Sequence, residues 1–127
     1  MNHADELLNQ VRLAAGAADD KKASDTLIID VGDVFSVSDY FVITSASNPR
    51  QVAAIVDSVE EELKNAGGPS PVRVEGLEER EWVLMDYGAF VVHVFHQEQR
   101  DFYQLERLWS DRPRIEWEPL TPRPESV

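Results

Sequence analysis

At 127 residues, 43% of them hydrophobic and 28% charged, the chain suits one soluble domain with a single core. No apolar run approaches the ~20 residues that a membrane helix needs. Twenty-four acidic against 12 basic residues give a formal charge of −12 and leave none of the Lys and Arg clusters that a phosphate backbone recruits, so no direct nucleic-acid contact is expected.

A protein that works near nucleic acid with this charge is expected to land on a basic protein surface, towards which its field steers it; the alternative is that the acidity only aids solubility. The absence of cysteine excludes disulfides and thiolate chemistry. The opening MNHADELLNQ lacks the basic region and apolar core of a secretory signal, so the expected location is the cytoplasm.

In chain order, Leu7, Leu8, Val11, Ala14, Ala15 and Ala18 recur at helical spacing, which predicts a first helix over residues 4–18. A polar connector, DDKKASD, leads into TLIIDV, residues 26–31, whose short branched run reads as a strand, and YFVIT, 40–44, reads as a second. Asn48 can cap a helix that has Pro49 at its first position, where a missing N–H costs nothing. That helix carries Val52, Ile55, Val56, Val59 and Leu63 on one stripe and stops at Gly67-Gly68, so it is a half-buried cover for a sheet. VRVEG, 72–76, gives a short strand.

WVLMDYGAFVVHVF, 82–95, reads as two strands joined by a turn, with both faces apolar. A three-residue loop Asp86-Tyr87-Gly88 asks positive φ only of the glycine. In that register Trp82 and Leu84 share a face with Phe90, Val92 and Val94, while Val83, Met85, Val91, His93 and Phe95 share the other; an alternative register puts Trp82 beside His93. Either the hairpin is central and covered twice, or one face is offered to a partner. Phe102, Leu105, Leu108 and Trp109 then fall at helical spacing and predict a last helix from Gln97. Four of the seven prolines lie beyond Asp111, so 111–127 is expected as an extended or disordered acidic tail after a domain spanning 1–110. The expected fold class is α/β, a single mixed sheet of about five strands packed with helices.

Candidate chemistry is sparse. His93 and His96 point to opposite faces of one strand and cannot share a metal, and His93 reads as a core histidine. Asp30, Asp33, Asp39 and Asp86 have no spacing that fixes two of them beside a phosphate-binding turn, and Asp39 and Asp86 read as turn or cap residues. TSASNPR contains no glycine, so no phosphate loop is present. No catalytic residue, metal ligand or cofactor is assigned, and an enzyme is not expected.

DYFVIT, a turn, RQVAAIVDSVEEEL, VEG, WVLMDYG, VVHVF and R-D-FY-x-LE-x-LW follow one another in an order that resembles the Iojap family of ribosomal silencing factors, RsfS, over roughly residues 4–110. The resemblance implies a nucleotidyltransferase-like topology without the enzyme's site, and a homodimer when free. It also implies binding to the fourteenth protein of the large ribosomal subunit, which blocks joining of the small subunit and represses translation under nutrient limitation. The chain departs from the family pattern at Thr44-Ser45-Ala46-Ser47, where a Thr-Gly-Thr-Ser turn is usual, and at Ala89, where an acidic residue is common. The alternatives are an inactive dimerisation module with another protein partner, and a nucleotidyltransferase, whose triphosphate would want a glycine where Ser45-Ala46 stands. Trp82, Leu84, Tyr87, Tyr103 and Glu106 are the expected partner-binding residues, with Trp82 open to a core reading as well.

Overall fold

Val42, Ile43, Val92 and Val94 leave no exposed surface on either side of their strands, and a sheet built around such strands has to be covered twice. The computed structural model describes residues 3–32 and 38–119. Its elements are α1 (His3–Asp20), β1 (Ser24–Asp30), β2 (Tyr40–Ala46), α2 (Pro49–Asn65), β3 (Arg73–Glu75), β4 (Trp82–Asp86), β5 (Phe90–His96), α3 (Gln97–Tyr103), a 3-10 helix (Leu105–Trp109) and β6 (Arg114–Ile115). The strands form one sheet in the order β3-β4-β5-β2-β1-β6, antiparallel except for the central β2/β5 pair. This is the expected mixed sheet with helices, widened to six strands.

Helices α1 and α2 lie side by side on one face. Val11 and the alanines at 14, 15, 17 and 18 from α1, with Val52, Ile55, Val56, Val59 and Leu63 from α2, close over Ile28, Val42, Val83, Met85, Phe90, Val92 and Val94. Small side chains on α1 let α2 approach closely enough for Ser58 Oγ to donate to the Ala17 carbonyl at 3.0 Å. Asn48 caps α2 as its sequence position predicts, accepting from the Gln51 amide at 2.8 Å. The helix ends in the double bond of a Schellman motif, Gly68 N–H to Leu63 C=O and Gly67 N–H to Lys64 C=O, with Gly67 at φ +77°.

The hairpin register is the alternative one. Trp82 stands opposite Phe95, Leu84 opposite His93 and Asp86 opposite Val91, so the loop is Gly88-Ala89 rather than Asp86-Tyr87-Gly88. Tyr87 N–H donates to the Phe90 carbonyl at 2.9 Å, and only Gly88, at φ +84°, leaves the usual backbone regions. Tyr87 remains extended because its ring stacks on Phe90 at 4.8 Å inside the helix-covered core, while Asp86 Oδ1 accepts from the Gly88 amide and holds the turn. Trp82 and Leu84 therefore share a face with Val91, His93 and Phe95.

The last helix is broken. Gln104 takes a left-handed conformation, φ 47° and ψ 50°, which ends α3 and redirects Leu105 and Trp109 onto the second face of the sheet. Beyond a turn at residues 110–112 the chain is extended up to Pro119, but bound. Arg114 and Ile115 pair with Ile29 and Ile28, Arg112 Nε donates to the Asp30 carbonyl, Arg12 Nε donates to the Glu116 carbonyl, and Trp117 Nε1 donates to the Thr26 carbonyl at 3.2 Å. Positions 120–127 of the tail lie outside the described residues, as does Asp33.

Trp117 packs half-buried against the core beside α1, so its contribution is structural. Trp117→Ala is expected to cost about 2 kcal/mol of folding free energy, read from chemical denaturation; an unchanged midpoint would mean that the segment after Asp111 contributes nothing.

Candidate protein-docking face

The second face of the sheet carries Ile29, Phe41, Ile43, Val91 and Phe95, all buried. Its cover is short: α3 and the 3-10 helix place Leu105 and Trp109 against this cluster, with the Trp109 ring edge-on to Phe41 at 5.5 Å. Arg100 pins that cover. It is 4% exposed, and its Nη1 donates to the Ser24 carbonyl at 3.3 Å and to Ser45 Oγ at 3.1 Å. Its Nε reaches Glu106 Oε2 at 3.3 Å, so one buried guanidinium ties α3 and the 3-10 helix to the β1/β2 edge. Glu106 thus stands half-buried in an ion pair within the chain rather than free at a rim.

On the β4 side the cover thins. Trp82 and Leu84 are half-buried, and Tyr103 is 52% exposed. The Trp82 ring stacks on Phe95 at 4.7 Å and meets the Tyr103 ring at 5.1 Å, and Tyr103 in turn meets Phe102 at 5.0 Å. Phe102 is 78% exposed and Leu108 73%, a large apolar area for two short elements. Of the residues expected to meet a partner, Trp82, Leu84 and Tyr103 are brought to one side of the sheet. Tyr87 is not: it lies on the helix-covered face, 6% exposed, where burial first and the Glu60 carboxylate second push its hydroxyl pKa well up.

His93 sits beneath this face, 4% exposed, edge-on to Phe41 at 4.9 Å. Its Nδ1 accepts a hydrogen bond from Trp82 Nε1 at 3.1 Å. Desolvation lowers its pKa from 6.5 to about 4, so it is a neutral core histidine, as its place on the strand suggests. Spacing arguments reach the nearness of Trp82 and His93 only through the alternative register, and they place Arg100 on the last helix without a role. Its buried contacts with Ser24, Ser45 and Glu106 leave no periodic signal.

The other candidates do not assemble. Asp30 accepts from the Gly32 amide and Asp86 from the Gly88 amide, as turn residues do, and Asp86 also lies 3.4 Å from Arg73. Among the described residues no group of three or more His, Asp or Glu is placed to hold a metal ion. Nor is any helix there long and apolar enough to cross a membrane.

A family model described as "Ribosomal silencing factor during starvation" matches residues 4–126. The chain belongs to the RsfS family. It is 41% identical over 103 residues to the ribosomal silencing factor RsfS of Bacillus subtilis, covering 81% of this chain and 86% of that protein. A crystal structure of a Chromobacterium violaceum protein superposes with a TM-score of 0.77 at 32% identity, over 94% of this chain and 92% of the other. The mouse protein named mitochondrial assembly of ribosomal large subunit protein 1 is 34% identical over 95 residues, 72% of this chain and 41% of its own longer length. The RsfS match extends past Asp111 through Trp117, the stretch whose side chains close the sheet edge beside α1.

The lowered pKa of His93 fixes a pH dependence. The unfolded chain binds this proton at about 6.5 and the folded chain only at about 4, so the stability conferred is complete above 6.5 and is lost as pH falls from 6.5 towards 4. Denaturation at pH 7.5 and pH 5 is expected to show about 2 kcal/mol more loss for the parent than for His93→Gln, which has no such proton to exclude. Equal losses would mean that the imidazole is charged or solvated in the folded chain.

Proposed function

We propose that this chain is a ribosomal silencing factor that docks on the large ribosomal subunit through the face built by Trp82, Leu84 and Tyr103. The partner is its fourteenth protein, and docking blocks joining of the small subunit and represses translation when nutrients are short. The observation that carries the reading is the unevenly covered second face. Where two long helices shield one side of the sheet, a seven-residue helix and a five-residue 3-10 helix shield the other, leaving aromatic side chains half in water. These rings suit a surface that is wet when free and dry when bound: Trp82 offers a large apolar area whose N–H is bonded to His93, and Tyr103 joins an apolar ring to a polar tip. Membership of the RsfS family supports the ribosomal setting, and the charge of −12 supports a basic protein rather than bare RNA as the landing site.

In this reading Tyr87 supports the hairpin from within, and Glu106 acts through Arg100 to hold the 3-10 helix. The chain works in the cytoplasm, without catalysis and without a cofactor. In the absence of the subunit the same apolar face meets a second copy, giving a homodimer.

Saturating protein added to separated subunits is expected to reduce the joined ribosome in a sedimentation profile and to migrate with the large subunit. Leu84→Glu, which puts a charge at the centre of the face while the helix-covered core is untouched, is expected to weaken that co-migration about 30-fold, the equivalent of ~2 kcal/mol. An unchanged joined fraction at saturation overturns the reading, and steady turnover of a nucleoside triphosphate would favour the enzyme instead. Light scattering at micromolar concentration is expected to give a dimer mass for the parent and a lower mass for Leu84→Glu; a monomer mass for the parent overturns the self-association.

A further inference from the structure

The hydrogen bond from Trp82 Nε1 to His93 Nδ1, 3.1 Å long, decides what Trp82 shows to a partner. A half-exposed indole has one polar group, its N–H, and that group ordinarily seeks water or an acceptor across an interface. Here it is turned inward and already satisfied. The side of Trp82 left uncovered is therefore carbon, flanked by the Tyr103 ring at 5.1 Å and by Leu84, whose strand position stands opposite His93.

Resting on the docking reading above, we propose that His93 is a positioning residue for the docking face: it holds the Trp82 indole N–H inward, so that at Trp82 the face presents a preset apolar surface and takes an apolar side chain from the partner, not a hydrogen-bond acceptor. The fixed acceptor is what makes this work. His93 is 4% exposed and wedged between Phe41, edge-on at 4.9 Å, and the Trp82 ring at 5.9 Å, a site too dry for the imidazole to take up the second proton that would turn Nδ1 from an acceptor into a donor. The ring that it holds is also stacked on Phe95 at 4.7 Å. Two independent contacts, one directional and one flat, thus leave Trp82 little rotamer freedom to lose on binding, and rigid anchors lose less entropy when they dock. With the N–H satisfied internally, an acceptor that the partner placed over Trp82 would be desolvated without a donor there, which gives this position a selectivity that shape alone does not.

The parent itself gives the first test. By nitrogen-edited NMR the Trp82 indole N–H is expected to exchange with water far more slowly than that of an exposed Trp, and the His93 imidazole at pH 7 to be the tautomer protonated on Nε2. Rapid exchange, or a proton on Nδ1, overturns the proposal without any variant. His93→Phe keeps the volume and removes the acceptor, and His93→Gln restores one. At equal fold, shown by unchanged backbone spectra, His93→Phe is expected to lose the slow indole signal and to bind the large subunit about tenfold more weakly, with His93→Gln recovering part of both. If the parent binds and a folded His93→Phe binds equally well, this inference fails alone. If the parent does not bind the subunit at all, it falls together with the reading on which it rests.

Discussion

The parallel pairing of β2 with β5 is the constraint from which the rest of the architecture follows. Seven consecutive pairs, from Tyr40–Phe90 to Ala46–His96, lie at the centre of the sheet with every other strand built outwards from them. Parallel strands need a crossover, and here it runs through α2 and the β3/β4 strands before returning to β5. Strands in that position are buried on both faces, so FVIT and VVHVF read as nearly continuous apolar runs without the alternation of a surface strand. A sheet with two apolar faces creates a demand for cover that this chain meets unequally.

On one side, helices of 18 and 17 residues satisfy that demand. On the other, the chain turns at Gln104 and spends its last helical residues on a short cover, pinned by Arg100 to Ser24, Ser45 and Glu106. A buried guanidinium is an unusual way to fix a surface element, because its desolvation offsets much of the attraction it gains. What it supplies is direction: three acceptors set the angle of α3 against the sheet. A longer apolar helix would cover the face more completely.

The parts of this fold that the sequence revealed are those governed by local rules. The stripe on α2, the Asn48 cap, the Gly67-Gly68 stop and the two central strands follow from periodicity and capping alone, and His93 was placed in the core by its strand position. Three features escaped because longer-range packing decided them. Loop chemistry at Asp86-Tyr87-Gly88 allowed two registers, and the stacking of Tyr87 on Phe90 under α2 selects the one that moves the loop to Gly88-Ala89. Helical spacing from Phe102 to Trp109 carries no sign of the left-handed Gln104, since a residue other than glycine rarely adopts that conformation. The proline-rich end reads from sequence as extended or disordered, and its pairing is not legible there because β6 is two residues long and is held by Trp117 and arginines against main-chain carbonyls, contacts that leave no periodic trace. For the proposed face, residue type singles out Trp82, Leu84 and Tyr103, which the structure brings to one side of the sheet, whereas the burial of Tyr87 and the ion pair of Glu106 needed the register and Arg100.

Charge and apolar area have separate tasks on such a surface. With a charge of −12, two copies of this chain repel each other at long range, and a basic partner is attracted by the same field. An apolar face has no sign and would accept either. Since exposed charges are screened beyond about 8 Å at physiological salt, the field acts mainly on the approach and the final contact is left to the rings and Leu84. For the proposed docking, acidity favours a basic target over a second copy through encounter rates more than through bound-state contacts, so the proposed self-association is left to the free chain. The inward-turned Trp82 indole fits that division in the proposed docking: its N–H stays on His93 and out of the contact, which leaves electrostatic selection to the surrounding surface.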